Sequence, residues 1–177
     1  QQFSKVNRVL YAYNKKPFTG IIQDKKGTYL HRELKVNKGY LDGTSFTYFF
    51  DGSVAESKTY KNGILNGPSK KYSSSKSLRE DLYFLNGFRE GKQVIYYPTG
   101  EISKELNYKQ GQLFGHNKLY YLQGGLKHTF FMNEKGQHDS LWIKYHPNGK
   151  LRERSKYKNG ILVEPTERFD LEGNLID

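Results

Sequence analysis

Hydrophobic positions along this chain recur at a fixed distance of about 24 residues. An aromatic residue and an aliphatic residue six positions later return together, with turn-forming residues between them. The aromatic positions are Tyr48, Tyr72, Tyr96, Tyr120, Tyr145 and Phe169, and the aliphatic positions are Val54, Leu78, Ile102, Leu126, Leu151 and Leu175. A constant period of this length indicates a repeat array.

Three series of glycines keep the same period, and only one step in the array is 25 residues long. The first series is Gly39, Gly63, Gly87, Gly111, Gly136 and Gly160. The second is Gly43, Gly67, Gly91 and Gly115, followed by Ser140 and Glu164, and the third is Gly52, Gly100, Gly124, Gly149 and Gly173, with Lys76 in its second place. Because turns often need the backbone freedom of glycine, these series predict recurring turns.

Residues 96–102 indicate the structure of one copy. Pro98 favours the second position of a type I turn, and Gly100 suits the left-handed position that follows, so together they predict a three-residue hairpin loop. In this register Tyr96 faces Ile102, which places the aromatic and aliphatic series on one face of a sheet. Apolar residues show no sustained helical spacing, which argues against helices.

The predicted fold class is all-β: an elongated, single, twisted antiparallel sheet of consecutive β-hairpin repeats with a period of about 24 residues. Its interior is expected to consist of stacked Tyr, Phe and Leu side chains. Residues 1–177 are predicted to be one repeat domain. Residues 1–17 form an N-terminal cap with a capping strand at Val6, Val9 and Leu10, and residues 18–177 hold about seven hairpin repeats, of which the first and last are atypical.

Two segments carry a resemblance to a known repeat: residues 60–67 read Tyr-Lys-Asn-Gly-Ile-Leu-Asn-Gly, and residues 157–162 read Tyr-Lys-Asn-Gly-Ile-Leu. With the aromatic pair, glycine and leucine of each hairpin, they resemble the MORN repeat in its bacterial variant, the YwqK-like antitoxin family. The resemblance covers roughly residues 11–177. It implies stacked hairpins that act as adaptors and are not catalytic by themselves. The sequence departs from the pattern at Lys76, Ser140 and Glu164, and in a reshaped loop at 132–135.

Composition narrows the class of protein. The net charge is +11, from 29 basic and 18 acidic residues, which favours attraction to acidic partners. The chain has no cysteine, which excludes disulfides and thiolate metal sites, and it contains no apolar run of transmembrane length.

The start Gln1-Gln2-Phe3 fits a trimmed chain or a mature end left by signal-peptide removal. Of the two, we favour an exported protein, periplasmic or at the cell surface, over a cytoplasmic one.

Few residues suggest catalytic or metal chemistry. The glycines follow no nucleotide-binding or nucleophile motif. Glu56, Glu80 and Glu153 recur on the second strand of a copy, where we expect them to accept hydrogen bonds from turn N–H groups of a neighbouring copy. The histidines lack metal-ligand spacing; they are His31, His116, His128, His138 and His146. We therefore expect no catalytic residue, no metal and no cofactor, and a protein that is not an enzyme.

Two groups of residues are candidates for binding. A row of rings is predicted to point away from the aromatic series; it consists of Phe49, Tyr97, Tyr121 and His146. A basic group consists of Lys70, Lys71, Lys118, Arg152, Arg154 and Lys156. Each group has an alternative explanation, because the rings can pack on each other and the charges can form a solvated face that prevents edge aggregation.

These features predict a non-catalytic repeat module for protein–protein binding, whose partner is an acidic protein surface or a toxin. The resemblance implies an antitoxin or immunity role, in which a toxin is neutralised by occlusion, or a cell-envelope adaptor. The alternative function is binding of anionic lipid or another polyanion through the basic group. Nucleic acid is a weaker alternative, because the chain has no recognised nucleic-acid motif.

Overall fold

The computed structural model describes residues 10–176, which consist of β-strands joined by turns and loops. This part of the chain contains no helix that is long and apolar enough to cross a membrane. The chain divides into two compact units, with the boundary between Arg89 and Glu90. Within each unit the predicted fold class is confirmed, because antiparallel hairpins follow one another along an open sheet.

The first unit starts with a small hairpin that is tied to a turn of the main sheet. Tyr11 N–H donates to the Gly39 carbonyl at 2.7 Å, and Gly39 N–H donates to the Phe18 carbonyl at 2.7 Å. Of the predicted capping strand, Val6 and Val9 lie outside the described residues, and Leu10 is not part of a strand.

Within the first unit, most strands pair with the strand that follows along the chain. The strands are β1 (Ala12–Tyr13), β2 (Lys16–Pro17), β3 (Gly20–Lys26), β4 (Tyr29–Asn37), β5 (Tyr40–Leu41), β6 (Gly43–Tyr48), β7 (Val54–Lys61), β8 (Ile64–Tyr72), β9 (Leu78–Leu85) and β10 (Phe88–Arg89). β1 and β2 form a separate two-stranded sheet, and the main sheet has the order β3-β4-β6-β7-β8-β9. β5 and β10 are short and pair with β4 and β9.

The second unit repeats this arrangement. Its strands are β11 (Gly91–Tyr96), β12 (Ile102–Lys109), β13 (Gln112–Leu113), β14 (Gly115–Tyr120), β15 (Leu126–Met132), β16 (Ser140–Tyr145), β17 (Leu151–Lys158) and β18 (Ile161–Arg168). The sheet order is β11-β12-β14-β15-β16-β17-β18, and the short β13 pairs with β12.

The predicted hairpin register is confirmed. Tyr97 N–H donates to the Glu101 carbonyl at 2.8 Å and Gly100 N–H donates to the Tyr97 carbonyl at 3.0 Å, which closes the three-residue loop. Tyr96 faces Ile102, as predicted. The same pairing occurs at Tyr48 and Val54, Tyr72 and Leu78, Tyr120 and Leu126, Tyr145 and Leu151, and Phe169 and Leu175. The shared period therefore reflects one repeated cross-strand contact.

At two of the positions where another residue replaces the glycine of the pattern, the backbone keeps the left-handed conformation typical of glycine. Lys76 has φ of 64° and Ser140 has φ of 74°, both in the left-handed region. Side chains other than glycine are strained there, because Cβ approaches the following carbonyl oxygen. Glu164 behaves differently, since it pairs with Lys156 inside β18. The array therefore retains its hairpin geometry even where the sequence pattern is lost.

Restoring the glycine at position 76 is expected to stabilise the first unit. Lys76→Gly removes a left-handed side chain, which costs roughly 1 kcal/mol. The lost ion pair with Asp51 is 3.6 Å long and exposed, so its contribution is small. Urea unfolding followed by circular dichroism should show a higher midpoint. The reverse change, Gly100→Lys at φ of 104°, should lower the midpoint, and a lower midpoint for Lys76→Gly would contradict the strain argument.

Besides the three-residue hairpin loop, each copy has a second connection, which is usually a two-residue turn. This turn also binds the backbone of the preceding copy. Asn62 and Gly63 have φ of 49° and 78°, as a type I′ turn requires. Gly63 N–H donates to the Leu41 carbonyl of the preceding copy at 2.7 Å. At residues 133–137 the connection is a three-residue loop instead, closed by Gly136 N–H and the Asn133 carbonyl. This one added residue accounts for the single 25-residue step in the sequence.

The most deeply buried side chains are polar, which corrects the expected interior of Tyr, Phe and Leu. Gln93 and Asn117 are 1% and 0% exposed. Gln93 and Tyr96 lie three residues apart in one strand, so they point to opposite faces. We call the face with Gln93 and Asn117, and with their equivalents Ser45 and Ser69 in the first unit, the core face. The opposite face, which carries the tyrosine series, is the ladder face.

The buried polar side chains bind backbone groups beside the glycines of the second series. Asn117 Oδ1 accepts from Asn107 N–H, and its Nδ2 donates to the Gly115 carbonyl, both at 2.9 Å. Gln93 Nε2 donates to the Glu90 carbonyl at 2.8 Å. Around these groups the core face carries buried apolar residues such as Leu82 and Phe130. The core is polar here because backbone groups near a turn need partners when they are buried.

Candidate interaction surfaces

The candidate aromatic row lies at the hairpin tips, where its side chains join one copy to the next. Tyr97 Oη donates to the Tyr120 carbonyl at 2.7 Å, and Tyr121 Oη donates to the Tyr145 carbonyl at 2.7 Å. His146 Nε2 lies 2.9 Å from the Phe169 carbonyl. All three rings are half-buried, as is Phe49 in the first unit. Their observed contacts are structural, and their role in binding a partner stays a prediction.

Removing one tip hydroxyl tests the structural role. Tyr97→Phe is expected to lower the free energy of unfolding by about 1 kcal/mol, because the Tyr120 carbonyl loses its side-chain donor. Chemical denaturation measures the loss, and Tyr121→Phe should give a similar value. Tyr13→Phe is the control, because Tyr13 is largely exposed. Equal stability of Tyr97→Phe and Tyr13→Phe would show that the tip contact contributes nothing.

The candidate basic residues do not share one face. Lys70 and Lys71 are neighbours in β8 and point to opposite faces of the sheet. Three of the six residues are already paired: Lys70 with Asp81 at 3.3 Å, Arg154 with Glu167 and Lys156 with Glu164 at 2.5 Å each. Within the described part of the chain, Lys71, Lys118 and Arg152 are exposed and form no ion pair.

A cluster of rings on the core face of the second unit was missed by the sequence reasoning. Trp142 packs between His128 and His138, with ring centroids 4.2 Å away in both cases and edge-to-face geometry. Phe130 stacks on Trp142 at 5.0 Å, and Tyr157 lies 5.5 Å from His138. Together these five side chains form the Trp142 cluster.

Departures from the repeat converge at the Trp142 cluster. Trp142 stands where other copies have Ser45, Ser69, Gln93 and Asn117. His138 stands where four other copies have leucine and one has arginine: Leu41, Leu65, Arg89, Leu113 and Leu162. The added loop residue and Ser140 lie in the same copy. Comparing each position across the copies would have found these departures, although the pattern alone does not show that they meet in space.

Comparison with protein-family models gives a result at three places along the chain. Residues 41–62, 89–110 and 139–159 match the MORN repeat variant. Each match spans one of the hairpin copies described above, and together they cover less than half of the chain. No match was found among curated proteins. Matches to MORN repeats support a binding or scaffold module, whereas the narrower likeness to YwqK-like antitoxins finds no support in these comparisons.

Two histidines of the second unit lie in surroundings that disfavour their charged form. Burial lowers the pKa of His128 to about 4, and the nearby Lys144 acts in the same direction. Burial also lowers the pKa of His138. His128 Nε2 and His138 Nδ1 are buried and have no hydrogen-bond partner. Both rings are therefore neutral in the folded protein near neutral pH.

A second perturbed group lies on the ladder face. Tyr120 Oη donates to Glu105 at 2.8 Å, and Lys92 pairs with the same carboxylate. Burial, reinforced by Glu105, raises the pKa of Tyr120 to about 12. The hydrogen bonds from Lys92 and Tyr120 lower the pKa of Glu105. These three side chains come from strands of adjoining hairpin copies, so their contacts help to hold the copies together.

Two of the three glutamates expected to bind turn N–H groups, Glu56 and Glu153, form ion pairs instead. Glu56 pairs with Lys58 at 2.8 Å, and Glu153 pairs with Lys144 at 2.9 Å. The turn N–H groups donate to side chains that directly precede Gly20 or a glycine of the second series. Lys38 N–H donates to Thr19, Asn62 N–H to Asp42, Asn86 N–H to Asn66 and Gln110 N–H to Glu90. The predicted contact exists, but other side chains make it.

Positive charge is unevenly divided between the two units. Residues 1–89 contain 16 basic and 7 acidic residues, which gives +9. Residues 90–177 contain 13 basic and 11 acidic residues, which gives +2. Four of the six candidate basic residues lie in the second unit, where most charge is compensated. Positive charge is therefore concentrated in the first unit.

Proposed function

We propose that this chain is a non-catalytic MORN-repeat module that binds a protein partner with an acidic surface through its first unit. The observation that carries the proposal is the net charge of +9 on residues 1–89. A field of one sign raises the rate of encounter with oppositely charged proteins and sets their orientation.

Some positions of a repeat make contacts between copies, and others vary from copy to copy. This arrangement supports a role in presenting variable side chains to a partner. Tip residues and turn backbone groups are used for contacts between copies. Equivalent positions in the middle of the first strand differ widely: Phe46, Lys70, Val94, Lys118 and Ile143. A scaffold that keeps its stacking contacts and varies its faces is suited to binding.

The proposal of a non-catalytic role rests on how the candidate carboxylates are used. Glu153 lies in a cross-strand ion pair with Lys144, and Glu56 pairs with Lys58 two residues along the same strand, β7. Within the described residues, no group of three His, Asp or Glu side chains is placed to hold a metal ion.

An antitoxin or immunity protein and a cell-envelope adaptor are two settings for the proposed binding.

A titration with a defined acidic probe tests the proposal. Fluorescently labelled polyglutamate is added to the chain and to a variant in which Lys25, Lys61 and Lys71 are changed to Gln. All three lysines are exposed residues of the first unit. The variant should bind about tenfold more weakly at low salt, because each removed charge weakens the attraction.

The matched control changes the same number of exposed lysines in the second unit, Lys104, Lys135 and Lys150. It should lose much less affinity than the first-unit variant. Equal losses in the two variants, or no binding of polyglutamate by the native chain, would refute the assignment to the first unit. If the first-unit variant binds more weakly, as expected, crosslinking in native cells should join an acidic protein to residues 10–89.

An anionic membrane surface is the second candidate partner. Phe50 is 78% exposed at a hairpin tip of the first unit, close to the pair of Asp51 and Lys76. An exposed ring near a lysine suits the interface of an anionic bilayer. Co-sedimentation with phosphatidylserine vesicles decides this candidate. Binding should fall for Phe50→Ser, and equal sedimentation of the two proteins would exclude insertion of this tip.

A further inference from the structure

The Trp142 cluster combines three unusual features of the second unit. Two imidazoles contact one indole at 4.2 Å, and each has a buried nitrogen without a hydrogen-bond partner. In other copies the His138 position is held by leucine at four places, so an apolar side chain fits this geometry. A stacking role therefore does not by itself require histidine here.

We propose that the Trp142 cluster is an acid-sensitive contact, which opens locally when His128 and His138 take up protons. A protonated imidazole has two N–H donors, and both need partners. In the closed cluster one nitrogen of each ring faces only buried surroundings. Water reaches these nitrogens when the rings separate from Trp142, so protonation favours the open form.

Charged groups around His128 reinforce this preference. Three groups disfavour a positive charge on the His128 imidazole. They are Lys144 on the paired strand β16, Lys127 next to His128 in β15, and His138. Glu153 on β17 acts in the opposite direction, but it is paired with Lys144 at 2.9 Å. On the other side of His128, β14 supplies Leu119, which has no charge.

The surroundings of His138 are mainly aromatic. Phe130 from β15, Trp142 from β16 and Tyr157 from β17 pack against its ring. The adjacent Asp139 forms an ion pair with Lys158 at 3.7 Å. Burial is what lowers the pKa of His138. Neither histidine therefore has an acidic partner that would compensate a proton in the closed form.

The direction of the pH effect follows from which form binds more protons. His128 has a pKa of about 4 in the closed cluster and about 6.5 when it is exposed. The closed form is fully favoured above the exposed pKa and loses this advantage as the pH falls toward the closed pKa. Between pH 7.5 and pH 5, His128 alone should raise the ratio of open to closed molecules about 30-fold.

Hydrogen exchange of the full chain measures this ratio. Protection of β15 and β16 amides, corrected for intrinsic exchange rates, is followed between pH 7.5 and pH 5. The internal reference is β8 and β9, which contain no histidine. Relative to this reference, the cluster amides should lose about 30-fold in protection. Trp142 is the sole tryptophan, so its fluorescence should change over the same pH range.

A variant that cannot titrate provides the control. Changing His128 to Gln and His138 to Leu should reduce the pH effect on protection to less than about threefold. If the double variant does not fold, His128→Gln alone should remove most of the roughly 30-fold effect, because that effect arises from His128. The proposal is wrong if the native chain shows no relative loss of protection, or if the variants lose as much protection as the native chain.

Discussion

The Trp142→Ala variant is expected to lose about 3 kcal/mol of unfolding free energy in the second unit. Trp142 contacts four rings from three neighbouring segments, with Phe130 stacked at 5.0 Å and the two histidines at 4.2 Å. Alanine fills little of this space, so the remaining rings lose packing and leave a cavity on the core face. Urea unfolding measures the loss, with circular dichroism as the signal because the variant has no tryptophan.

Two further variants separate packing from other effects. Trp142→Phe should retain most of the stability, because a smaller ring still packs on Phe130. Leu141→Ala is the matched control: it is adjacent in β16, points to the opposite face and is exposed. If Trp142→Ala and Leu141→Ala had the same unfolding midpoint, the Trp142 cluster would not contribute to the stability of the unit.

The second large effect is expected for Asn117→Ala, at about 3 kcal/mol of unfolding free energy. Asn117 is 0% exposed, and its amide binds Asn107 N–H and the Gly115 carbonyl. Alanine leaves both backbone groups buried without these partners, and each unpaired group costs part of its desolvation free energy. The loss should appear as a lower urea midpoint with an unchanged slope.

Substitutions at the same and the next position test this explanation. Asn117→Ser introduces the residue found at Ser45 and Ser69, so it should restore part of the stability. Lys118→Ala, at an exposed neighbour in β14, should be nearly neutral. An Asn117→Leu variant as stable as the native chain would show that the hydrogen bonds matter less than the volume filled.

The hairpins could be predicted from the sequence because their determinants are local. The residues of the three-residue loop lie next to each other, and the same aromatic and aliphatic pair flanks it in six places. The backbone at Lys76 shows how strong this local pattern is, since it stays left-handed without glycine. The matches to the MORN repeat variant fall on copies that the spacing had already defined.

The candidate binding residues could not be judged from the sequence because their contacts come from another copy. Tyr97 reaches a carbonyl 23 residues later, and Arg154 is paired with Glu167 on the next strand. From the sequence, a row of aromatic or basic side chains looks available for a partner. In the fold, the neighbouring strand already contacts many of them. The pattern shows which face a side chain takes, whereas its remaining free surface depends on the adjoining repeat.

The period, the hairpin loops and the cross-strand register follow from residue order, because they depend on contacts within one copy. The burial of polar side chains at the deepest positions, and the meeting of His128, His138 and Trp142, depend on how several copies stack in the folded molecule. Burial and ring contacts arise when strands of different copies stack. Their energies depend on which side chains then lie opposite each other, and spacing along one copy does not contain that information.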